Sequence, residues 1–572
     1  MTGFLTLDDL LLPAPLPAVM AVLIVAGVAG IAKTAARFVV AFALVGATVN
    51  ALLLAHLAGL VVLRVIAGVL AVAGVVTIPR SFRAAAQALR GLWGKSFFDI
   101  AAFVVAACSV GGMGLASVGP VTDPDSLDYH LGVPLDWLRH GGVTVEPHWL
   151  HARLTGLGEA LNTLGLAAGT DCLGAVLQVS GLVVVMAVVS GAGKTLRDRM
   201  FGLLLALPPA ILPLTTSQKP QLLPAAGLVV AMMLARTAQS GADFALVFGC
   251  AAFAVACKYS FAVSGGVVVV AALVWAYRRG RLAVASGWAV VAFAVLVLPG
   301  LGRNFVLYGD PVSPFLEGLQ AHPDREVTQF ATYLGNVGGA HTAEGIARFV
   351  GHTIWPEGAG DVQTILGIGL AGLLLAAGTQ GSFAALAGFA AVFGFTIWRG
   401  QMAPRYLLEG YWWCAAVAVA VPWPRFKSLL FYGLTVQTAG VAAMALFAAG
   451  MLFPGALTPG LRERVMQRAT YGYAEAQWVD RVVPKDATLM SQSRAYALMP
   501  RPFRIPWCAA CGSGFEVDAR ADDVLVLGYP VEEMFPQGCP STVLAGPVWL
   551  RYAARNPFNR RAYQVVAMRP EC

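Results

Sequence analysis

The chain has 572 residues, of which 58% are apolar and only 12% charged. Soluble domains run near 45–50% apolar and about 25% charged. With a mean hydropathy of +0.70, this composition excludes an ordinary soluble enzyme. The net charge of +8 does not point to nucleic acid, because most Lys and Arg sit in short connections between apolar runs and there hold loops on the cytoplasmic side.

From the N-terminus, Met1–Leu10 carries Asp8 and Asp9 and no basic run, unlike a cleaved signal peptide. Apolar stretches then recur at about 15–32, 37–57, 59–78, 97–119, 171–190, 201–216, 221–236, 243–257, 260–277, 282–301, 362–378, 381–397, 407–423 and 428–450. At roughly 20 residues per crossing, they predict a polytopic α-helical membrane protein of about 14 spans. Pro208, Pro209 and Pro213 interrupt one of the runs. Five basic clusters fall on one side of the alternation: Lys33/Arg37, Arg80–Lys95, Lys194–Arg199, Arg278–Arg281 and Arg425/Lys427. The positive-inside rule makes that side cytoplasmic. Segments 120–170, 302–361 and everything after about 451 then lie outside. The expected organisation is membrane helices in 1–96, a membrane core in 97–451 with those two outer loops, and an extracytoplasmic α/β domain in 452–572. Ser190-Gly-Ala-Gly-Lys-Thr195 imitates a phosphate loop, but Val188 stands where its first glycine is required.

The first outer loop concentrates chemistry. It holds Asp123, Asp125, Asp128 and Asp136 within fourteen residues, then Glu146 and Glu159, and four of the eight histidines: His130, His140, His148 and His151. Leu127, Leu131, Leu135 and Leu138 have helical spacing and predict an amphipathic helix on the membrane surface. On loop statistics Asp125 reads first as the N-cap of that helix; the functional reading is a carboxylate that takes a proton from an acceptor hydroxyl. His148 and His151 have the spacing of metal ligands, a spacing common by chance, and no metal or other cofactor is expected.

Further along, cations appear on the outer face against the positive-inside trend: Lys219 in Thr215–Gln221, Lys258 before Tyr259, Arg303 before Asn304, and Arg405 before Tyr406. A lipid-linked phosphate at the outer leaflet gives them a reason, since Lys and Arg are its natural ligands. In the tail, Ala487–Met490 and Asp523–Gly528 predict buried strands, Arg494–Met499 and Val548–Ala554 helical turns, and Tyr563–Met568 a further apolar run. Cys508, Cys511, Cys539 and Cys572 are disulfide candidates in an oxidising compartment, with connectivity open and zinc or redox chemistry as alternatives.

These residues resemble the GT-C superfamily of membrane glycosyltransferases, and within it bacterial relatives of the protein O-mannosyltransferase and aminoarabinose transferase group. Asp125 and Tyr129 match the Asp-Glu-x-x-Tyr pattern of the first outer loop in those enzymes, with Ser126 in place of Glu. Arg303–Phe315 is similar to an Arg-Asn…Gly-Asn-Pro…Pro turn, with Asp310 for Asn; Lys258-Tyr259 and Arg405-Tyr406-Leu407 match as well, and the resemblance covers about 97–572. It implies an inverting transfer of a sugar from a polyprenyl-phosphate donor to a lipid, glycan or protein acceptor. The membrane would be the bacterial inner membrane and the tail domain periplasmic. Asp125 would be the general base and Asp128 its rival. Lys219, Lys258, Arg303 and Arg405 would hold the lipid phosphate. Tyr129, His130, His148, Tyr259, Asn304 and Tyr406 are the candidate substrate contacts beside them. Ser126 weighs against a metal-dependent variant. A transporter or flippase of lipid-linked saccharide, or a glycan polymerase or ligase, are the alternatives. The span interiors are almost free of charge, which speaks for the transferase.

Overall fold

The computed structural model describes residues 4–91, 96–145, 149–316, 342–378, 382–398, 402–423, 425–491, 493–505, 523–528, 540–551, 553 and 561–571. Seven helices among them are long and apolar enough to cross a membrane: Ala35–Leu54, Leu60–Pro79, Phe97–Ser117, Leu173–Gly191, Tyr259–Arg278, Leu282–Tyr308 and Arg425–Ala456. Shorter apolar helices are Leu16–Ala32, Leu222–Ala235, Gly241–Cys257, Gly367–Ala377 and Phe383–Trp398. The protein is a multi-pass membrane protein. The fourteen apolar runs expected from sequence are not all full-length crossings. The run at 201–216 contains a helix that stops at Leu205 and a single 3₁₀ turn at Pro209–Ile211, as its prolines dictate.

The first helices are part of the body. Leu16–Ala32 lies so close to Leu60–Gly91 that a Cβ on Gly27 would fall 2.0 Å from the Leu70 carbonyl oxygen, and one on Gly74 2.1 Å from that of Leu23. Small residues permit this approach in a membrane, where packing rather than water expulsion drives helix association. Arg64 Nε donates to the Ala167 carbonyl at 3.1 Å, tying this pair to the outer-loop helix Leu157–Ala167.

One basic residue read as topological has a second role. Lys427 is fully buried, donating to Asp198 Oδ1 at 3.0 Å and to the carbonyls of Val419 and Val421 at 2.8 and 2.6 Å. Trp423 Nε1 donates to the same carboxylate oxygen at 2.7 Å. Removing one partner of such a pair strands the other, at a cost of about 3–5 kcal/mol. Lys427→Ala is therefore expected to lower the melting temperature of the detergent-solubilised protein markedly, whereas Arg425→Ala leaves it near the wild-type value.

Beyond the last long helix, Pro459–Ala469 and Tyr473–Val482 lead into a five-stranded sheet. Its strands are β1 Thr488–Ser491, β2 Phe503–Arg504, β3 Asp523–Gly528, β4 Ser541–Arg551 and β5 Ala562–Pro570, ordered β2-β1-β3-β5-β4. β1 runs parallel to β2 and β3, and β5 antiparallel to β3 and β4, a mixed α/β arrangement. Of the helical turn expected at Val548–Ala554, Val548–Arg551 is instead the end of β4, and 552 and 554 lie outside the described residues. Val548 and Leu550 pair with Val565 and Tyr563, a period of two rather than of a helix. Arg494–Met499 contributes only a 3₁₀ turn, Tyr496–Leu498. Cys508, Cys511, Cys539 and Cys572 lie outside the described residues.

The domain sits on the first outer loop. Thr470 Oγ1 donates to the Val121 carbonyl at 3.0 Å, and Arg462 pairs with Asp171 at 2.6 Å. The rings of Tyr496 and Phe503 pack on Trp149 at 5.4 and 5.9 Å. This covering corrects the expected surface helix. Leu127, Leu131, Leu135 and Leu138 are buried in protein, on a π-helical turn Ser126–His130 followed by the helix Gly132–His140.

Candidate active site

The π turn at Ser126–His130 aligns the side chains of the first outer loop. It is wider than an α turn, a form that recurs at functional sites. Asp125, Tyr129 and His130 line one cavity, while Asp128 turns into the protein. Asp125 makes no side-chain cap; Asp123 Oδ1 instead accepts from Ser126 N at 3.0 Å. Ser126 itself explains the departure from Glu. Its hydroxyl lies 3.1 Å from Ser217 Oγ and accepts from Gln218 N at 2.9 Å. That contact latches the loop carrying Lys219 onto the loop carrying Asp125, and the fully buried position leaves no room for a longer acid.

The cavity measures about 660 Å³. At its polar end Lys219 Nζ is 2.6 Å from Asp125 Oδ2, and Arg494 Nη2 is 3.0 Å from Asp125 Oδ1. Lys258 and Arg405 line the same end and lie over the Tyr406 ring at 5.5 and 5.0 Å. Lys219, Lys258, Arg405 and Arg494 face only two carboxylates in the lining, Asp125 and Glu159, so the wall carries an excess of positive charge. Titration behaviour agrees with that field. Burial alone would raise the Asp125 carboxyl, but Lys219 and then Arg494 hold it well below the usual carboxylate range. Burial would likewise raise the Tyr406 phenol, yet Lys258 and Arg405 bring it down to about 8.

The other walls are apolar and come from membrane helices. Phe293, Val297 and Leu301 line the cavity at four-residue spacing on Leu282–Tyr308, where a second π turn, Phe293–Val297, widens the helix. Val392, Phe395 and Trp398 face it from Phe383–Trp398. A charged chamber thus continues into an oily groove.

The two candidate bases differ in kind. Asp125 has 30% of its side chain exposed, toward the cavity. Asp128 has 2% and accepts from Trp149 Nε1 at 2.9 Å, His151 Nδ1 at 2.8 Å, and Arg494 Nε and Nη2 at 2.9 and 2.7 Å. With both oxygens engaged, Asp128 is an anchor.

Of the residues expected from sequence, Tyr129, His130, Lys219, Lys258, Tyr259, Arg405 and Tyr406 meet Asp125 at this cavity. Arg303 and Asn304 are not in its lining. Buried Arg303 donates to Thr155 Oγ1 at 3.1 Å and to the Thr155 carbonyl at 2.7 Å, with Asn304 Oδ1 also taking two of its bonds. Asn304 Nδ2 in turn reaches the Tyr259 hydroxyl at 3.0 Å. The pair braces the site from behind. His148 lies outside the described residues. Among the described residues no group of three His, Cys, Asp or Glu is placed to hold a metal ion. Sequence reasoning passed over Arg494 and the role of Glu159. Arg494 follows the carboxyl end of the parallel strand β1, the edge where open α/β sheets bind ligands, and that position was its one readable signal.

No curated protein matches the chain in sequence. Among solved structures it is similar to ArnT from Cupriavidus metallidurans, crystallised bound to undecaprenyl phosphate, at 14% identity and a TM-score of 0.51 over 82% of this chain and 97% of that one. At that identity the likeness is one of fold alone. The DUF1420 N-terminal domain family matches residues 96–466, from the helix before the Asp125 loop into the helix Pro459–Ala469. The chain belongs to the DUF1420 N-terminal domain family.

Proposed function

We propose that this protein is an integral-membrane glycosyltransferase that moves a sugar from a polyprenyl-phosphate donor to an acceptor hydroxyl, with inversion, at the outer face of a bacterial inner membrane. The observation that carries the reading is the cavity itself. One end gathers four cations around a carboxylate, and the other is walled by apolar side chains of membrane helices. An anionic headgroup on a long hydrocarbon tail fits that division, and a water-soluble nucleotide sugar does not. The undecaprenyl phosphate held by the similarly folded ArnT is a ligand of this class.

In this reading the acceptor oxygen attacks the anomeric carbon from the side opposite the phosphate, Asp125 takes its proton, and the lipid phosphate leaves with the bonding electrons. Lys219, Lys258, Arg405 and Arg494 balance the charge that develops on the leaving oxygen. The cations that pair with Asp125 in the resting site are then drawn to the phosphate, which frees the carboxylate to act. Protein, glycan and lipid hydroxyls all satisfy this chemistry as acceptor. The five basic clusters, read as cytoplasmic, support a periplasmic tail domain.

The test is a transfer assay on purified protein in vesicles with a panel of labelled polyprenyl-phosphate sugars. Donor consumption is the expected result; lipid scrambling without consumption would sink the transferase and favour a flippase. Lys258→Ala is expected to weaken binding of undecaprenyl phosphate about 10- to 100-fold, the usual value of one hydrogen bond to a charged group. Isothermal titration in detergent reads it.

A further inference from the structure

His130 holds a hydrogen-bonding position that no partner fills among the described residues. Its Nδ1 lies 2.6 Å from Glu159 Oε1, and Glu159 Oε2 accepts from Gly156 N at 2.6 Å. Both carboxylate oxygens therefore face donors, and the imidazole proton belongs on Nδ1. Nε2 is left as an acceptor. It is buried and has no partner, although the residue lines the cavity. A buried lone pair without a donor carries a desolvation penalty that a bound ligand removes.

The surroundings say what kind of donor fits. Burial opposes a positive charge on the ring and, helped by Lys219 and Lys258, outweighs the pull of Glu159, so the imidazole titrates below its ordinary value and favours the neutral form. The same two lysines oppose a cationic ligand beside it. The fitting partner is a neutral O–H. We propose that His130 Nε2, oriented by Glu159, accepts a hydrogen bond from a hydroxyl of the transferred sugar and selects a neutral sugar over an amino-deoxy one at that position. The inference rests on the transferase reading, and names the substrate class of its cavity. Sites built to bond a substrate hydroxyl reject analogues that lack it strongly, because the protein's polar atom is then left unpaired.

Three variants separate this role from packing. His130→Leu removes the acceptor. His130→Gln keeps an oxygen near the same place. Glu159→Gln keeps the imidazole but turns its proton over: the Gln amide donates to Nδ1, and Nε2 becomes a donor. Gln still caps the helix start. Binding of undecaprenyl phosphate and of its glucosyl, mannosyl, galactosyl, arabinosyl and amino-deoxy-arabinosyl esters is measured on the full-length protein in nanodiscs. Wild type is expected to bind at least one neutral sugar ester 10-fold or more tighter than the bare lipid phosphate. His130→Leu and Glu159→Gln lose that difference while keeping the affinity for bare lipid phosphate, and His130→Gln keeps most of it. Retention of the sugar preference in the first two variants, a wild-type preference for the amino sugar, or no wild-type preference among these esters would overturn the proposal. Failure of wild type to bind even the bare lipid phosphate would overturn the transferase reading, and the proposal with it.

Discussion

Asp125→Asn is expected to lower turnover of the polyprenyl-phosphate sugar by a factor of about 10²–10⁴, the usual contribution of a positioned general base. Volume and polarity are conserved, and Asp125 caps no helix, so the melting temperature is expected to stay close to that of wild type. Binding of bare lipid phosphate is expected to be retained or to tighten, since Lys219 and Arg494 lose the carboxylate that competes with the ligand for them. Asp128→Asn separates base from anchor. There an amide NH₂ must face either Trp149 or the pair His151 and Arg494, all of them donors. Breaking a buried ionic network of that kind costs about 3–5 kcal/mol, so this variant is expected to lose stability and activity together. Single-turnover kinetics beside a thermal melt decide. Wild-type turnover in a folded Asp125→Asn protein would remove Asp125 from the chemistry.

The contrast between these two aspartates marks where sequence stopped being informative. The two lie three residues apart in one loop, and only the motif match sets Asp125 above Asp128 until the chain 366 positions downstream returns to cover Asp128. Nothing near Asp128 announces Arg494. The leucines at 127, 131, 135 and 138 mislead in the same way. Their helical spacing is real, but the surface they bury against is the tail domain and the neighbouring helices, so periodicity found the apolar face and missed its partner. Arg303 misled for another reason. An Arg-Asn pair where a span ends has the composition of a phosphate site, but here the guanidinium is consumed by the Thr155 backbone and hydroxyl.

What was legible rests on stronger physics. The cost of exposing backbone or charge to lipid forces long apolar runs, so the membrane class and the approximate placement of the helices follow from composition alone. Lys219, Lys258 and Arg405 were readable because cations on the outer face contradict the topological rule and so require a local reason. The cavity supplies it. Strand β3 was readable from Asp523–Gly528 because a short apolar β-branched run between turns admits few other states, whereas the end of β4 alternates over too few residues to outweigh a helical reading.

Arg494→Ala is expected to have the second large effect, and its pH dependence is specific. The guanidinium comes from the tail domain and bridges both aspartates of the membrane loop, binding Asp128 through Nε and Nη2 and Asp125 through Nη2. Truncating one partner of a hydrogen-bonded charge pair at such an interface costs about 2–5 kcal/mol, so kcat/KM is expected to fall on the order of 10²-fold. A general base must be ionised in the free enzyme, and kcat/KM falls only as pH drops through its pKa. Burial pushes the Asp125 carboxyl up, but Lys219 and then Arg494 outweigh it, so the wild-type profile is expected to stay flat through mildly acidic pH. Without Arg494 one of those cations is gone, the carboxyl titrates at higher pH, and the acid limb of the profile moves toward neutrality. Arg494→Lys keeps the charge but not the planar fork, and is expected to restore the position of the acid limb more fully than the rate. An acid limb unmoved by Arg494→Ala would mean that Arg494 serves only to seat the tail domain on Asp128, and that the tail takes no part in setting the charge of the catalytic carboxylate.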